Sequence, residues 1–226
     1  VDTDTDADTD TDADTDTDAD TDTDPYPLDG QGTLSGDCDV LDTELSSADP
    51  SLFRAELTFD DPFDEDALSE GGATLLDAGT LGGSSIYSEV FAYEVLYRCE
   101  LAELLLTEGD IDYTDDGGKK TDMVVDMDGL RIGVSVARAV GWPKDDPWTE
   151  DQAEALLTDK LADIPLSSAN VTAEHAWTKQ VLAIVAYAPE HADAIETVWT
   201  GLDAGTKGDT ILWVTATNGD DGFIYE

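Results

Sequence analysis

Short runs of apolar and β-branched residues alternate along the chain with longer stretches in which apolar residues recur at helical spacing. The short runs predict β-strands, because they are bounded by Gly, Pro or Asp residues that favour turns. The predicted strands are Leu52–Phe59, Thr74–Asp77, Leu105–Tyr113, Lys120–Met127, Leu130–Val140, Val181–Ala188 and Ile211–Thr217. Asp128-Gly129, which separates the fourth strand from the fifth, is typical of the two-residue turn of a β-hairpin.

Four stretches are expected to be helical. They are a long helix that begins after the capping residues Ser84 and Ser85 and runs to about Leu106, a helix from Thr149 to about Leu161, a short stretch around Ala173, and a helix from Pro189 to about Leu202. Thr149 and Gln152 have the spacing of a capping box, and Pro is favoured in the first turn of a helix. The long helix is expected to be mostly buried because its apolar face is wide.

The order of these elements predicts a three-layer α/β domain with a mixed sheet. Its centre is an αβββαβ unit, to which a further helix and strand are added at the carboxyl end. We expect three parts in the chain: a disordered spacer over residues 1–24, a linker rich in Pro and Gly over residues 25–36, and one globular domain over residues 37–226. Because the chain begins at Val1, we also expect it to be a processed or trimmed form.

The amino-terminal segment Val1–Asp24 has Asp at every even position, with Thr or Ala between. Such dense charge without large apolar groups predicts an extended polyelectrolyte spacer. The D-x-D-x-D spacing also resembles the ligand spacing of a calcium-binding EF-hand loop, which is an alternative interpretation. However, Ala7 and Ala13 stand where that loop needs Gly and a bidentate Glu. The segment resembles the Thr- and Asp-rich stretch that follows the lipid-modified cysteine of bacterial surface lipoproteins, which implies a location at the cell surface or outside the cell.

The acidity of the chain extends well beyond this segment. The whole sequence has 54 acidic and 10 basic side chains and a formal net charge of −44. Without the 12 Asp of the first 24 residues, the other 202 residues still carry −32. Binding to nucleic acid or to anionic lipid is therefore disfavoured, whereas a basic protein partner fits. This pervasive acidity resembles that of proteins from marine or salt-adapted organisms.

No segment of the sequence predicts a membrane-spanning helix, since the longest apolar run, Val181–Ala188, is far shorter than the roughly 20 residues that such a helix needs. The two cysteines, Cys38 and Cys99, are compatible with one disulfide or with two buried thiols. If the protein is exported, the disulfide is favoured, and we predict it on that basis.

The order of elements from Ser84 to Ala188 resembles the core of the PD-(D/E)XK, or restriction-endonuclease-like, superfamily. That resemblance implies a Mg²⁺-dependent phosphodiesterase with an acidic residue on the first helix, an Asp on the second strand of the meander and a (D/E)-x-K motif on the third. Two further segments, F-D-D-P-F at Phe59–Phe63 and G-V-S-V-A-R-A at Gly133–Ala139, resemble those of a family of hypothetical proteins, a likeness that implies no activity.

The hairpin register shows which residues could supply the superfamily's ligands. Asp122 matches its Asp, but Ser135 and Ala137 stand at the (D/E)-x-K positions. One face of the hairpin is predicted to carry Lys120, Asp122, Asp126, Arg131 and Ser135. Asp126, directly opposite Arg131, is expected to form a cross-strand ion pair.

A rebuilt catalytic site could combine the hairpin with the long helix. Its candidate catalytic residues are Asp122, Lys120 and one of Glu89 and Glu94, and its candidate ligands for Mg²⁺ are Asp122 and Glu89. The polar face of a hairpin would present the same charges without a metal, so both interpretations stay open.

Other motifs give little support to enzyme classes. His175 and His191 have no partners at zinc-ligand spacing, and the fingerprints of serine hydrolases, zinc proteases and Rossmann enzymes do not occur. Two hypotheses remain, and no cofactor is certain. The favoured one is an exported, surface-tethered acidic domain without catalysis; the alternative is a Mg²⁺-dependent phosphodiesterase or nuclease centred on Asp122.

Overall fold

A single mixed β-sheet organises the domain in the computed structural model, which describes residues 26–27, 32–38, 40, 42–80, 86–144 and 146–225. The sheet has eight strands in the order β1-β2-β3-β8-β7-β6-β5-β4. The strands are β1 (Tyr26–Pro27), β2 (Gly32–Gly36), β3 (Ser51–Phe59), β4 (Glu103–Thr107), β5 (Met123–Met127), β6 (Leu130–Ala139), β7 (Lys179–Ala186) and β8 (Ile211–Gly219). The four central strands β3, β8, β7 and β6 are parallel, and the flanking pairs on both sides are antiparallel.

Helices cover both faces of this sheet. They are α1 (Asp42–Ser46), α2 (Glu70–Ala78), α3 (Ile86–Glu100), α4 (Glu150–Asn170), α5 (Pro189–Gly201) and α6 (Ala204–Lys207). Along β7, odd-numbered residues such as Val181 pack in the core that contains α3, while even-numbered residues such as Leu182 pack in the core that contains α4 and α5. This alternation buries β7 on both faces. The prediction of a three-layer α/β domain with an αβββαβ core is confirmed.

Local signals explain several element boundaries. The predicted capping box opens α4, where the Thr149 side chain accepts the Gln152 N–H and the Gln152 side chain accepts the Thr149 N–H. The helix continues past the predicted end at Leu161 and through Pro165, because Ile164 extends its buried stripe. The predicted hairpin is also confirmed, with Met127 paired with Leu130 across the turn.

Several sequence predictions on secondary structure were wrong. The long helix ends at Glu100 rather than near Leu106, because Leu101 takes a positive φ, and the strand expected from Lys120 begins only at Met123. Residues Thr74–Asp77 belong to α2 rather than to a strand, because the Ser69 side chain caps that helix by accepting the Gly72 N–H. The strand expected over Leu105–Tyr113 is the shorter β4, since a 3₁₀ turn follows it directly. Residues around Ala173 form a turn and no helix.

The expected boundaries near the amino terminus also differ from the structure. Part of the predicted linker enters the sheet, because β2 pairs with β3 and buries Leu34. The spacer expected over residues 1–24 and the expected capping residues Ser84 and Ser85 lie outside the described residues.

A disulfide joins Cys38, which follows β2, to Cys99 in the last turn of α3. The predicted cysteine pairing is therefore confirmed. Both cysteines are half-buried and pack against the core on the α3 side of the sheet. Within the described ranges, no helix is long and apolar enough to cross a membrane.

Candidate functional site

The β5–β6 hairpin places Asp122 at one end of the sheet. Its turn residues Asp128 and Gly129 have φ values of 53° and 78°, as the tight turn of a hairpin requires. Asp122 precedes β5, and its N–H donates to the Val134 carbonyl at 3.0 Å. Its carboxylate Oδ2 accepts the Val136 N–H at 2.7 Å. Two backbone contacts with β6 therefore hold this carboxylate in a half-buried position.

Glu89 lies in the first turn of α3, and only 8% of its surface is exposed. The described part of the chain contains no hydrogen-bond partner for its carboxyl group. Burial is the main reason that the pKa of Glu89 rises to about 8, and the negative charges of Asp122 and Glu108 raise it further. The two predicted Mg²⁺ ligands, Glu89 and Asp122, are therefore near enough for the charge of one to act on the pKa of the other.

The pKa of Asp122 is influenced from the helix layer opposite α3. Burial raises its pKa to about 6, although the hydrogen bond from Val136 and the positive charge of Lys160 lower it. Lys160 belongs to α4, which packs on the face of the sheet opposite α3. Burial therefore raises the pKa of Glu89 further than that of Asp122, so Glu89 takes up its proton first as the pH falls.

Three residues of this region were missed from the sequence: Glu108, Tyr113 and Lys160. Glu108 lies in the 3₁₀ turn after β4, where a strand was predicted. The Tyr113 hydroxyl accepts the Thr121 N–H at 2.8 Å, and burial raises the pKa of Tyr113 to about 12. Lys160 carried one possible signal, because only ten basic residues occur in the chain and this one falls in a predicted helix.

Glu94, which was predicted as an alternative to Glu89, serves a different purpose. Its Oε1 accepts hydrogen bonds from the Ser69 N–H at 2.8 Å and from the Ser69 hydroxyl at 2.6 Å. Its Oε2 lies 3.6 Å from the Nε of Arg98. This nearly buried carboxylate therefore ties α3 to the start of α2, and the structure does not bring it to Asp122.

Lys120 and Ser135 also have contacts away from Glu89. The exposed Lys120 lies over the ring of Tyr113, with its Nζ 5.4 Å from the ring centroid. The Ser135 hydroxyl is 2.9 Å from the Thr121 hydroxyl and accepts a hydrogen bond from the Gln180 amide at 2.9 Å. Ser135 thus belongs to a buried polar network beneath α4 rather than to an open polar face.

The predicted cross-strand pair occupies opposite positions in the hairpin, but both side chains bind other groups. Asp126 faces Arg131 in the register of β5 and β6. The Asp126 carboxylate accepts the Gly129 N–H at 2.8 Å and so stabilises the turn. Arg131 donates to the carbonyl of Glu174. These contacts, rather than an ion pair, explain the two side-chain positions.

The ligand set for a metal ion is small. Among the described residues, no three His, Cys, Asp or Glu side chains are grouped so that they could hold one ion. Glu89 and Asp122 are two carboxylates, a number that fits Mg²⁺, which usually keeps several waters and takes one or two protein carboxylates. The unpartnered carboxyl of Glu89 fits this use, because a bound cation would stabilise its ionised form.

No family model matches the chain, and no solved structure matches it. The chain is similar to the AAC-rich mRNA clone AAC4 protein of Dictyostelium discoideum, with 35% identity over 160 residues. The match covers 68% of this chain and 23% of that protein, so the chain spans about a quarter of the length of this relative.

Proposed function

We propose that this chain is an exported, surface-tethered acidic domain that binds a basic partner and has no catalytic role. The observation that carries the proposal is the disulfide between Cys38 and Cys99, which uses both cysteines of the chain. Disulfides of this kind persist in oxidising compartments and are rare in the reducing cytosol. The bridge spans 61 positions and joins the amino-terminal part of the sheet to α3.

The charge of the domain supports binding to a basic partner. The 202 residues that follow the first 24 carry a formal net charge of −32, which repels polyanions and attracts cationic surfaces over the distance of a Debye length, about 8 Å at physiological salt. The resemblance of the first 24 residues to a lipoprotein spacer supports tethering, since an extended charged segment keeps a domain away from the surface that anchors it.

The positions that should carry nuclease chemistry support the absence of catalysis. Ser135 and Ala137 replace the (D/E)-x-K carboxylate and lysine, and the Ser135 hydroxyl is bonded inside the polar network. The Glu94 carboxylate already accepts hydrogen bonds from the Ser69 N–H and hydroxyl.

Protease treatment of intact cells of the source organism tests the proposal. A protein tethered at the surface should be degraded by added protease in intact cells, as detected with an antibody against the domain. A cytosolic enzyme serves as the control and should survive. Recovery of the protein in the cytosolic fraction, protected from protease, would contradict export.

A second candidate function is Mg²⁺-dependent hydrolysis of a phosphodiester, favoured by the position of Glu89. This carboxyl is nearly buried, is unpartnered among the described residues and is near enough to Asp122 for that negative charge to raise its pKa. Glu89 and Asp122 would hold the ion, which when bound supplies Lewis-acid polarisation of the phosphate and lowers the pKa of a water molecule. Lys160 would offset part of the negative charge that surrounds an approaching phosphate.

Calorimetry with Mg²⁺ and Mn²⁺, together with turnover of bis(p-nitrophenyl) phosphate, tests this second candidate. Asp122→Asn should abolish metal binding and any metal-dependent turnover. Asp126→Asn is the matched control, because it removes one negative charge near the turn of the same hairpin while the Asn side-chain oxygen can still accept the Gly129 N–H. Absence of heat at millimolar metal, or full turnover in the Asp122 variant, would eliminate hydrolysis and leave the binding function.

A further inference from the structure

We propose that a cleft at the carboxyl ends of β6 and β7, here called the histidine cleft, binds a small uncharged aromatic alcohol of the phenol type. The cleft has a volume of about 380 Å³. Its lining residues come from the segment after β6 and from the segment in which β7 leads into α5, and they include Lys144, Trp148, Tyr187 and His191. This binding is separate from the function proposed above and does not require a protein partner.

The cleft occupies a place in the fold where α/β proteins commonly bind ligands. β6 and β7 are adjacent parallel strands, and Ala139 is paired with Ala186 at their carboxyl ends. Trp148 lies in the segment that follows β6, and Tyr187 follows β7 directly. In open sheets, ligands bind in crevices outside the carboxyl ends of the strands. The side chains that line the cleft then decide which ligand fits.

His191, in the first turn of α5, has a ring whose tautomer is fixed by the fold. Only 7% of its surface is exposed, and the rings of Trp148 and Tyr187 pack against the imidazole with centroids 5.8 Å away. Nδ1 lies 2.9 Å from the carbonyl oxygen of Ala139. Because a carbonyl oxygen only accepts, Nδ1 carries the proton, and Nε2 of the neutral ring is an acceptor.

Nε2 of His191 opens into the cleft without a partner. It has no hydrogen bond in the part of the chain that the structure describes, and it is not one of the unpaired side-chain atoms that are sealed from solvent. Since His191 lines the cleft, this nitrogen is reached from there. A nearly buried acceptor is costly to leave unpaired, so a ligand that donates to it gains binding free energy. An O–H group supplies such a donor.

Apolar side chains form most of the wall of the cleft. Pro147 and Trp148 come from the segment after β6, and Tyr187 comes from the end of β7. Trp148 is stacked on His191, and the ring of Tyr187 makes an edge contact with that of Tyr225. The edges of the wall rings can still meet the face of a ligand ring, an edge-to-face geometry that aromatic pairs favour. The walls therefore favour an aromatic ligand without requiring a free stacking face.

Charged groups beside the apolar walls favour a ligand without net charge. Lys144 repels a cation, whereas the exposed carboxylates of Asp146 and Glu190 repel an anion. The excess of acidic residues in the whole chain adds to the second effect. Clefts of roughly 300–1,000 Å³ with apolar walls and a few polar groups are typical of small-molecule sites. A single-ring aromatic alcohol therefore matches the cleft in size, charge and hydrogen bonding.

NMR of the full chain labelled with ¹⁵N-histidine at pH 8 tests the inference, because the chain has only two histidines. His175 is the internal control, since its Nδ1 accepts the Asp112 N–H at 2.9 Å and its neutral ring carries the proton on Nε2. Two-bond ¹H–¹⁵N spectra distinguish these opposite tautomers. Added p-cresol should shift the Nε2 resonance of His191 saturably and leave that of His175 unchanged. No saturable shift of the His191 resonance at millimolar p-cresol would overturn the inference.

A variant with a matched control tests the hydrogen bond itself. His191→Asn keeps a side-chain N–H for the Ala139 carbonyl, but its shorter amide does not reach the position of Nε2. It should bind p-cresol about fivefold more weakly, as expected for loss of one neutral hydrogen bond, and bind toluene, which lacks the hydroxyl, within about twofold of the wild type. His175→Asn, at the other end of β7, should bind both compounds as the wild type does. Equal weakening of both compounds in His191→Asn would contradict the assigned contact.

Charged analogues test the class of the ligand on the wild-type chain. At pH 8, 4-methylbenzoate is an anion and 4-methylbenzylamine is mainly a cation, and both keep the ring of p-cresol. Each should bind more weakly than p-cresol, because the cleft carries charges of both signs. Tighter binding of either compound would overturn the assignment of an uncharged ligand. None of these results bears on the cell-surface protease experiment, so the two ideas are judged separately.

Discussion

Glu89→Gln should stabilise the domain at alkaline pH, and the size of the effect follows from the raised pKa of this carboxyl. The pKa is about 8 in the folded protein, against an ordinary value of 4.5. The folded state therefore holds a proton that the unfolded state releases between these two pH values. Below pH 4.5 the carboxyl is protonated in both the folded and the unfolded state, so its burial does not oppose folding. The unfolding free energy of the wild type then falls as the pH rises from 4.5 through 8.

The upper limit of this loss is about 5 kcal/mol, because each unit of pKa difference corresponds to about 1.36 kcal/mol. Gln has nearly the same shape and does not ionise, so the variant lacks this pH-dependent loss. The difference in unfolding free energy between variant and wild type should therefore grow from pH 5 to pH 9, by a few kcal/mol at most.

Urea denaturation at pH 5, 6, 7, 8 and 9 measures this difference. Including 0.5 M NaCl screens the repulsion among the other acidic side chains of the chain. Glu154→Gln, at an exposed position on α4, is the control for removal of one negative charge. A difference between Glu89→Gln and wild type that is the same at pH 5 and pH 9 would refute the assignment of Glu89 as a buried, electrostatically repelled carboxyl.

Further predictions concern stability. Replacing both Cys38 and Cys99 with Ser should lower the unfolding free energy by about 4 kcal/mol, the chain-entropy value for a loop of this length, as measured by urea denaturation. Thr149→Ala should cost about 1 kcal/mol through loss of the helix cap, measured in the same way. Gly133→Ala should lower the melting temperature, because its Cβ would lie 2.8 Å from the Trp177 ring.

The central part of the fold could be predicted from the sequence because its signals are local. The Asp128-Gly129 turn fixes the register of the hairpin, and the Thr149 capping box fixes the start of α4. The prediction of a strand at Thr74–Asp77 was wrong because a short apolar run does not distinguish a strand from a helix. In the structure, the cap from Ser69 and the contact of that residue with Glu94 decide for a helix.

The candidate site could be predicted only in part. The face of the hairpin that carries Asp122 follows from strand periodicity, and an acidic residue from the long helix was expected near it. The choice between Glu89 and Glu94 depends on how α3 is rotated about its own axis. Lys160 reaches the same region from the opposite helix layer, a relation between elements distant in sequence. Ser135 was placed on an open face because the sequence does not show that Gln180 covers it.

Peptide mapping of the native protein tests the central claim, an exported domain, most directly. The protein is purified from the envelope of its source organism, alkylated without reduction, digested and analysed by mass spectrometry. The proposal predicts a linked peptide pair that contains Cys38 and Cys99, with neither residue alkylated. Alkylation of both cysteines before reduction would contradict export to an oxidising compartment.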